Sequence, residues 1–221
     1  MELRQALRIE RGVTAIIGSG GKTTLLYALA RELSRTAKVI VCTTTHIFPP
    51  EHMPVLAEEA EIAEALTRVD AVCVSGGTER GKLLPPKLSF ARLRMLAEYV
   101  LVEADGSHGL PAKAHAPHEP VVPEEATQTI CVFGLSALGR PIAETAHRPE
   151  LYAEKLGAAP EARLTPELAA RLLRLEGLHT RVLLNQAELP GAEQGGREMA
   201  AKLACPVCIG SLQKGTITCL F

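Results

Sequence analysis

The sequence predicts an α/β fold with a mostly parallel central sheet and helices on both of its faces. Short apolar runs rich in β-branched residues alternate with stretches of helical periodicity along the chain, which is typical of strand–helix–strand units. A glycine-rich turn at residues 18–24 joins the first of these strands to the first helix. Because such a turn places a helix N-terminus beside a ligand, it also indicates where an anion would bind.

Strands and helices alternate through the first half of the chain. Buried-type apolar runs predict strands at residues 13–17, 38–42, 71–74 and 99–102. Apolar residues at helical spacing predict helices at residues 23–34, 55–67 and 87–97.

The second half of the chain continues this pattern after a long loop at residues 106–125, which holds four prolines. Residues 129–133 predict a strand. Thr165 and Pro166 are expected to be the N-cap and first residue of a helix that reaches residue 175. The remaining predicted elements are a strand at 181–184, a helix at 192–203 and a last strand at 206–209.

A length of 221 residues suits one sizeable α/β domain or one and a half average domains, and we expect residues 1–221 to form a single unit. A hydrophobic fraction of 47% suits an ordinary globular core. The formal net charge is -1, with Lys and Arg scattered, which argues against nucleic-acid binding. The charged N-terminus is unlike a signal peptide, and apolar runs stay short of the ~20 residues that span a membrane. We therefore expect a cytoplasmic protein without membrane contact.

The six cysteines are interpreted as structural. Three of them lie in apolar, strand-like runs, where cysteine behaves as a small hydrophobe: Cys42, Cys73 and Cys131. Cys205 and Cys208 form a CxxC pair, a spacing that in some proteins serves redox or metal chemistry. The alternative to packing is a metal site with Cys219 as a third ligand.

The glycine-rich turn reads Gly18-Ser19-Gly20-Gly21-Lys22-Thr23-Thr24 and predicts a phosphate-binding loop. The Lys22 ammonium would bind terminal phosphates, and the Thr23 hydroxyl would complete a Mg²⁺ shell. Ile16 stands where the longer form of this loop has its first glycine; Mur ligases carry a similar short form. The expected fold is therefore three-layer and P-loop NTPase-like, and the alternative is a plain glycine-rich turn with a surface lysine.

Polar residues follow other predicted strands at the edge where ligands collect in open α/β sheets. In the segment Thr43–His46, the threonine hydroxyls are candidates for contact with Mg²⁺ or a terminal phosphate, and Thr44 is a catalytic candidate. The alternative is a strand end rich in β-branched residues with a hydrogen-bonded His46. Residues 75–83, which include Arg80 and Lys82, suit either a flexible loop over an anion or a solvated turn. Glu103 or Asp105 would hold Mg²⁺ directly or through water, and either one could be the nearer ligand.

The loop at 106–125 is expected to be functional because long loops in compact domains usually are. It carries His118, a candidate for contact with substrate or phosphate, and its three histidines match no standard metal-ligand spacing. Arg148 suits bidentate anion binding, the alternative being a surface arginine before a helix.

The segment Asn185-Gln186-Ala187-Glu188 follows the predicted 181–184 strand. Regulatory GTPases read guanine with Asn-Lys-x-Asp at an equivalent strand end. Here Gln stands in place of Lys and Glu in place of Asp. Asn185 and Glu188 are therefore expected to contact a nucleotide base, with adenine and guanine both left open.

Together these motifs resemble the YqeC family, described as selenium-dependent hydroxylase accessory proteins. The resemblance spans nearly the whole chain. The motifs that carry it are Gly18–Thr24, Thr43–His46, Val102–Ser107, Lys113 with His118–Pro120, Gly134–Gly139 and His147–Pro149. The sequence departs from the family pattern, Asn-Lys-x-Asp, at residues 185–188.

The residues imply Mg²⁺-dependent binding of ATP or GTP, followed by hydrolysis or phosphoryl transfer. The resemblance implies a process: maturation of molybdenum hydroxylases that carry a labile selenium, with such a hydroxylase or its cofactor-maturation proteins as partner. One alternative is an ATP-dependent ligase or kinase acting on a small molecule, as the short Mur-like loop suggests. Another is a nucleotide-binding module without turnover that acts through a protein partner.

Overall fold

A nine-stranded sheet with helices on both faces forms the body of the molecule, which confirms the predicted fold class. The structure is a computed structural model that describes residues 2–220. Met1 and Phe221, which the predicted single domain includes, lie outside the described residues. None of the helices in residues 2–220 has the length and apolar character that a membrane crossing requires.

Strands and helices alternate through most of the chain. The first half contains α1 (Leu3–Ala6), β1 (Gly12–Gly18), α2 (Lys22–Leu33), β2 (Val39–Thr43), β3 (Val55–Leu56), α3 (Glu59–Ala65), β4 (Ala71–Val74), β5 (Thr78–Glu79), β6 (Lys82–Leu83), α4 (Phe90–Leu96) and β7 (Tyr99–Glu103). The second half contains β8 (Ala112–Lys113), β9 (Ala126–Gly134), α5 (Ile142–Thr145), β10 (Ala146–His147), α6 (Pro149–Leu156), α7 (Pro166–Glu176), β11 (Arg181–Asn185), α8 (Ala192–Ala200), β12 (Val207–Ser211) and β13 (Thr216–Cys219).

The strand β1 lies at the centre of the sheet. The strand order is β13-β12-β11-β9-β1-β7-β2-β4-β3, and every neighbouring pair is parallel except β12 with β13. Ile16 of β1 pairs with Glu103 of β7, and Gly18 pairs with Val132 of β9. The carboxyl end of β1 therefore lies between the ends of β7 and β9, where a ligand-binding crevice is expected.

The sheet is covered on both faces because successive residues of its central strands point to opposite sides. In β1, Ile16 joins the cluster under α1 and α2, whereas Ala15 and Ile17 join the cluster under α6, α7 and α8. Val13, on the same side as Ala15, packs with the apolar residues of α3 and α4. All of these strand residues are fully buried, so the central strands form a rigid support for the loops at their ends.

Two predicted elements differ from those observed, and in both cases strand pairing is the reason. The helix predicted over 55–67 begins only at Glu59, because Val55 and Leu56 pair with Cys73 and Val74 in β4. The strand predicted over 206–209 is not the last one, since the chain turns at Gly215 and returns as β13, antiparallel to β12.

Smaller differences concern element ends and short elements. The predicted helices at 87–97 and 192–203 are observed as Phe90–Leu96 and Ala192–Ala200. The loop at 106–125 contains β8, which pairs in parallel with β10. The helix capped by Thr165 forms as predicted: the Thr165 hydroxyl accepts a hydrogen bond from the backbone N–H of Leu168.

Candidate functional site

A cleft of about 1410 Å³ opens at the carboxyl ends of the parallel strands. Its lining comes from segments that follow β1, β2, β7, β9, β11 and β12, together with the β5–β6 hairpin. The predicted phosphate loop contributes Gly20, Gly21, Lys22, Thr23 and Thr24. The sheet topology therefore brings most of the predicted site residues to one place.

Backbone crowding explains two glycines of the loop. Gly18 and Gly20 both have positive φ angles, 88° and 83°. A Cβ atom at Gly18 would collide with the carbonyl oxygen of Val132, and one at Gly20 would collide with the backbone of Gly134. The loop can therefore lie against β9 only if these residues are glycine.

The side chain of Lys22 lies inside the loop and is only 3% exposed. Its Nζ donates hydrogen bonds to the carbonyl oxygen of Gly18 at 2.7 Å and to the Ser107 hydroxyl at 2.9 Å. The same atom lies 3.1 Å from Asp105 Oδ1 and 4.0 Å from Glu103 Oε1. The ammonium is thus held at the floor of the cleft, between the loop and the end of β7.

Thr23 and Glu103 form a pair of oxygen ligands that both line the cleft. The Thr23 hydroxyl donates a hydrogen bond to Glu103 Oε2 at 2.7 Å. Burial raises the pKa of Glu103, although Lys22 and the Thr23 hydroxyl partly oppose this effect. A buried carboxylate beside a hydroxyl, both facing a cleft, is a donor set suited to a hard divalent cation.

Asp105 lies beneath the loop and is fully buried, outside the residues that line the cleft. Its Oδ2 accepts a hydrogen bond from the backbone N–H of Gly18 at 2.9 Å, and Lys22 neutralises its other oxygen. Burial favours a raised pKa, but His115, Lys22 and Lys113 together lower it. Asp105 is therefore an ionised anchor of the loop, and Glu103 is the acid that faces the cleft.

An ionic chain that the sequence did not reveal extends from Asp105 to α7. His115 Nε2 lies 2.8 Å from Asp105 Oδ2, and Nδ1 lies 2.7 Å from Glu176 Oε2. Lys155 of α6 donates a hydrogen bond to the other oxygen of Glu176 at 2.8 Å. Burial would lower the pKa of His115, but its hydrogen bonds to the two carboxylates outweigh burial and raise it. The imidazolium form therefore bridges the two acids.

Three predicted catalytic residues lie at or beyond the edge of the cleft. His118 lines its rim and is exposed. Thr44 and Arg148 are outside the described cleft lining: the Thr44 hydroxyl donates to the carbonyl oxygen of Val121 at 2.7 Å, and Arg148 pairs with Glu119 at 3.1 Å. The neighbouring Thr45, rather than Thr44, faces the cleft.

The segment after β11 closes one end of the cleft. Asn185 Nδ2 donates to the carbonyl oxygen of Gly20 at 2.8 Å, and Asn185 Oδ1 accepts from the backbone N–H of Leu212 at 3.0 Å. The Gln186 side chain accepts a 2.7 Å hydrogen bond from the Ser136 hydroxyl. Glu188 lines the cleft, and its Oε2 is a buried atom without a hydrogen-bond partner among the described residues. Asn185 thus holds the loop, while Glu188 presents an acceptor.

The cysteine arrangement favours a structural role. Cys208 and Cys219 face each other across β12 and β13, with their Sγ atoms 3.1 Å apart and both thiols close to the carbonyl oxygen of Ala6. Burial and the neighbouring Cys219 raise the pKa of Cys208 to about 12. Within residues 2–220, no group of three His, Cys, Asp or Glu side chains has the geometry of a metal site.

Comparison with known proteins gives a family for this fold and cleft. The model of a family described as YqeC protein matches residues 14–150. A relative from Escherichia coli (strain K12), named Uncharacterized protein YqeC, is 36% identical over 162 residues. The match covers 69% of this chain and 63% of the relative, so the chain spans less than two thirds of that protein's length.

Proposed function

This chain belongs to the YqeC family, and from that premise we propose that it is a Mg²⁺-dependent nucleotide-binding protein that hydrolyses ATP or GTP. One observation carries the proposal. Lys22, Thr23 and Glu103 lie close together at the floor of the cleft. They lie where the glycine-rich loop ends and the first turn of α2 begins. Phosphates fit such a place because loop amides, helix dipole and lysine all favour negative charge.

Mg²⁺ is compatible with the residues that face the cleft. The Thr23 hydroxyl and the Glu103 carboxylate would hold the ion, which supplies charge neutralisation for the phosphates when it is bound. Protein sites for Mg²⁺ commonly use one or two such ligands and complete the shell with substrate phosphates and water. Burial raises the pKa of Glu103, and a bound cation would oppose this effect by stabilising the charged carboxylate.

Each residue then has a defined task in the proposed reaction. Lys22 would bind the terminal phosphates after exchanging its hydrogen bonds with Gly18 and Ser107. Asp105 would keep the loop in its binding geometry through the Gly18 N–H group. Thr45 and His118, at the cleft surface, would contact the terminal phosphate or the attacking water. In phosphoryl transfer, such positioning and neutralisation supply most of the catalysis.

The proposed nucleotide is ATP or GTP, with its base at the end of the cleft formed by residues 185–188 and 212–213. Glu188 lines the cleft, and its carboxylate would accept a hydrogen bond from a base N–H group. Both adenine and guanine carry exocyclic or ring N–H donors.

We propose maturation of selenium-dependent molybdenum hydroxylases as the process that this nucleotide chemistry serves. The sequence motifs shared with the family support it. Stimulation of nucleotide turnover by a purified molybdenum hydroxylase that lacks its mature cofactor is the expected result. Turnover that instead requires a small acceptor would favour the ligase or kinase alternative, and tight binding without turnover would favour a binding module.

The first prediction is that Lys22→Ala abolishes Mg²⁺-nucleotide binding, because the variant removes the cation aimed at the terminal phosphates. Asp105 keeps His115, Lys113 and the Gly18 N–H as partners in this variant, so the fold is expected to persist. Isothermal titration with ATP and GTP, each with and without Mg²⁺, measures the effect. We expect affinity to fall at least about a hundredfold, as for loss of a charge-assisted contact.

Two further variants make this test decisive. Lys87→Ala removes an exposed lysine outside the cleft lining and should leave affinity unchanged. Thr23→Val keeps the Lys22 ion pairs and should reduce only the Mg²⁺-dependent part of binding. Equal nucleotide affinity in the wild type and Lys22→Ala would contradict the proposed function.

A further inference from the structure

The cleft is larger than a usual small-molecule pocket, and its two ends differ in chemistry. Its volume of about 1410 Å³ exceeds the range of about 300–1,000 Å³ for small-molecule pockets. The segments after β11 and β12 lie on one side of β1, whereas the segment after β2 and the β5–β6 hairpin lie on the other. With the base at the first end, as proposed above, the second end lies beyond the terminal phosphate.

A fixed hairpin forms the wall of this second end. Leu83 and Ile47 exchange backbone hydrogen bonds, and both side chains are only 3% exposed. Arg80 and Gly81 form the tip of the hairpin, with φ angles of 49° and 75°. The buried contact between Leu83 and Ile47 therefore holds the hairpin, with Arg80 and Lys82, over the cleft on the side opposite Asn185.

The two hairpin cations are available to a ligand. Among residues 2–220, neither Arg80 nor Lys82 has a carboxylate within 4.0 Å. The acid of the same hairpin, Glu79, is directed instead to His46, whose Nε2 lies 3.5 Å from Glu79 Oε2.

An exposed aromatic ring completes this end. Phe48 lines the cleft and is 65% exposed, which is unusual for a ring of this size. Its backbone is fixed because the Tyr27 hydroxyl donates a 2.9 Å hydrogen bond to its carbonyl oxygen. Lys82 Nζ lies 4.9 Å from the ring centroid. A flat ligand that packs against Phe48 would replace this cation–π contact with an ion pair between Lys82 and its own charged group.

We propose that Phe48, Arg80 and Lys82 form a second binding site in the cleft, which takes a small anionic molecule with a flat or apolar body. The anion is a phosphate or carboxylate, since Arg and Lys together bind either. This inference rests on the proposed function, because the nucleotide defines which end of the cleft is free. The bound molecule would lie next to the terminal phosphate, in the position of an acceptor or activator.

The experiment uses the whole chain saturated with Mg²⁺ and the β,γ-imido analogue of ATP or GTP. Titration of the nucleotide analogue comes first and reads out the proposed function alone. Phenyl phosphate, benzoate, inorganic phosphate and benzyl alcohol are then titrated by NMR. We expect phenyl phosphate or benzoate to bind more tightly than inorganic phosphate or benzyl alcohol, and the preferred one identifies the anionic group.

Variants assign this binding to the hairpin. Arg80→Ala/Lys82→Ala should weaken the aromatic anions at least about tenfold and leave the affinity of the nucleotide analogue within about twofold. Phe48→Ala should weaken phenyl phosphate but not inorganic phosphate. The charge-matched control, Lys87→Ala/Arg94→Ala, alters exposed residues outside the cleft lining. It should change neither the affinity of the nucleotide analogue nor that of the aromatic anions.

Three results would overturn the second site. The first is that neither aromatic anion binds to the nucleotide-loaded protein. The second is that both bind equally well to Arg80→Ala/Lys82→Ala. The third is an equal loss of analogue and probe affinity in that variant, which would assign the hairpin cations to the nucleotide's own phosphates. Failure of the analogue to bind the wild type overturns the proposed function instead.

Discussion

At the scale of single residues, Glu103 and Asp105 have opposite environments although one residue separates them. Residues two apart share a side only while a strand continues, and β7 ends at Glu103. Glu103 therefore faces the cleft beside Thr23, whereas Asp105 turns beneath the loop toward Gly18 and His115. The first is placed to bind a cation and the second to hold the loop.

This difference predicts distinct effects of two conservative changes. Glu103→Gln should weaken the Mg²⁺ dependence of nucleotide binding by about tenfold or more, because it removes the charged ligand. Asp105→Asn should lower the free energy of unfolding by about 3 kcal/mol, because Lys22, Lys113 and His115 lose a buried counter-charge. Magnesium titrations and urea denaturation measure the two effects. A Mg²⁺ defect in Asp105→Asn alone would reverse the assignment.

His115 makes stability depend on pH in a defined direction. Its pKa is raised above its ordinary value of 6.5 despite burial, because Asp105 and Glu176 stabilise the charged ring. The contribution of the imidazolium to the free energy of unfolding is therefore complete below pH 6.5, and it is lost as pH rises through the raised pKa. Asp105 and Glu176, whose pKa values are lowered, lose their contribution only in acid.

Replacing His115 should remove this pH dependence. We expect His115→Gln to cost about 3 kcal/mol of unfolding free energy near pH 6 and less near pH 9. Urea denaturation at several pH values, compared with the wild type, gives the difference. His52→Gln is the matched control, because the His52 side chain is 93% exposed. An equal loss at both pH values would mean that the charge of His115 does not change between pH 6 and pH 9 in the folded protein.

At the scale of elements, the phosphate loop is held from both sides of the sheet. Asp105, after β7, binds the start of the loop at Gly18, and Asn185, at the end of β11, binds its middle at Gly20. Asn185 also joins the loop to Leu212 after β12. Two separate strand ends therefore fix the loop geometry before any ligand binds, which reduces the entropy lost on binding.

Asn185 variants test this anchoring. Asn185→Ala should weaken nucleotide binding by about tenfold, because the loop loses a buried hydrogen bond and the Leu212 N–H is left without its acceptor. Asn185→Asp keeps an acceptor for Leu212 but loses the donor to Gly20, so it separates the two contacts. Titration with the better nucleotide measures both. If Asn185→Asp binds normally, the contact with Gly20 does not position the loop.

The sequence predicts those elements whose signals are local. The strand at Ala71–Val74, the loop from β1 into α2 and the cap at Thr165 each depend on neighbouring residues, and each forms as expected. Val55–Leu56 and β13 depend on partners elsewhere in the sheet, which periodicity does not report. In the cleft, Glu103 and Lys22 could be predicted to lie close together because both follow strands that end at the same edge of the sheet. The His115–Glu176 contact, in contrast, joins residues 61 positions apart. No local pattern marks such a pair.

At the scale of the whole molecule, a single sheet joins both ends of the chain. The N-terminal helix α1 packs on α2 and β13, and Gln128 binds the carbonyl oxygen of Leu7. The ionic chain from Lys22 to Lys155 connects the central loop with α6 and α7. These connections agree with the expectation of one domain, which stays a prediction.

A single domain predicts a single cooperative unfolding transition. We expect the calorimetric and van't Hoff enthalpies to agree, because one nine-stranded sheet joins both halves of the chain. Mg²⁺-nucleotide at about 100 times its Kd should stabilise the whole transition by about 2.7 kcal/mol. Differential scanning calorimetry with and without nucleotide checks both statements. Two resolved transitions, with only one shifted by nucleotide, would indicate separate units.

The contact from Asn185 to Gly20 and Leu212 has a consequence for biosynthesis. The phosphate loop is translated well before its anchors on the β11 and β12 side, since Gly20 and Asn185 are 165 positions apart. Domains generally fold as units during synthesis, so a nascent chain that ends before residue 185 carries the complete loop sequence without its native support. Nucleotide binding by this protein would therefore begin only after the β11–β12 segment has been translated, and it would distinguish chains that contain this segment from chains interrupted before it.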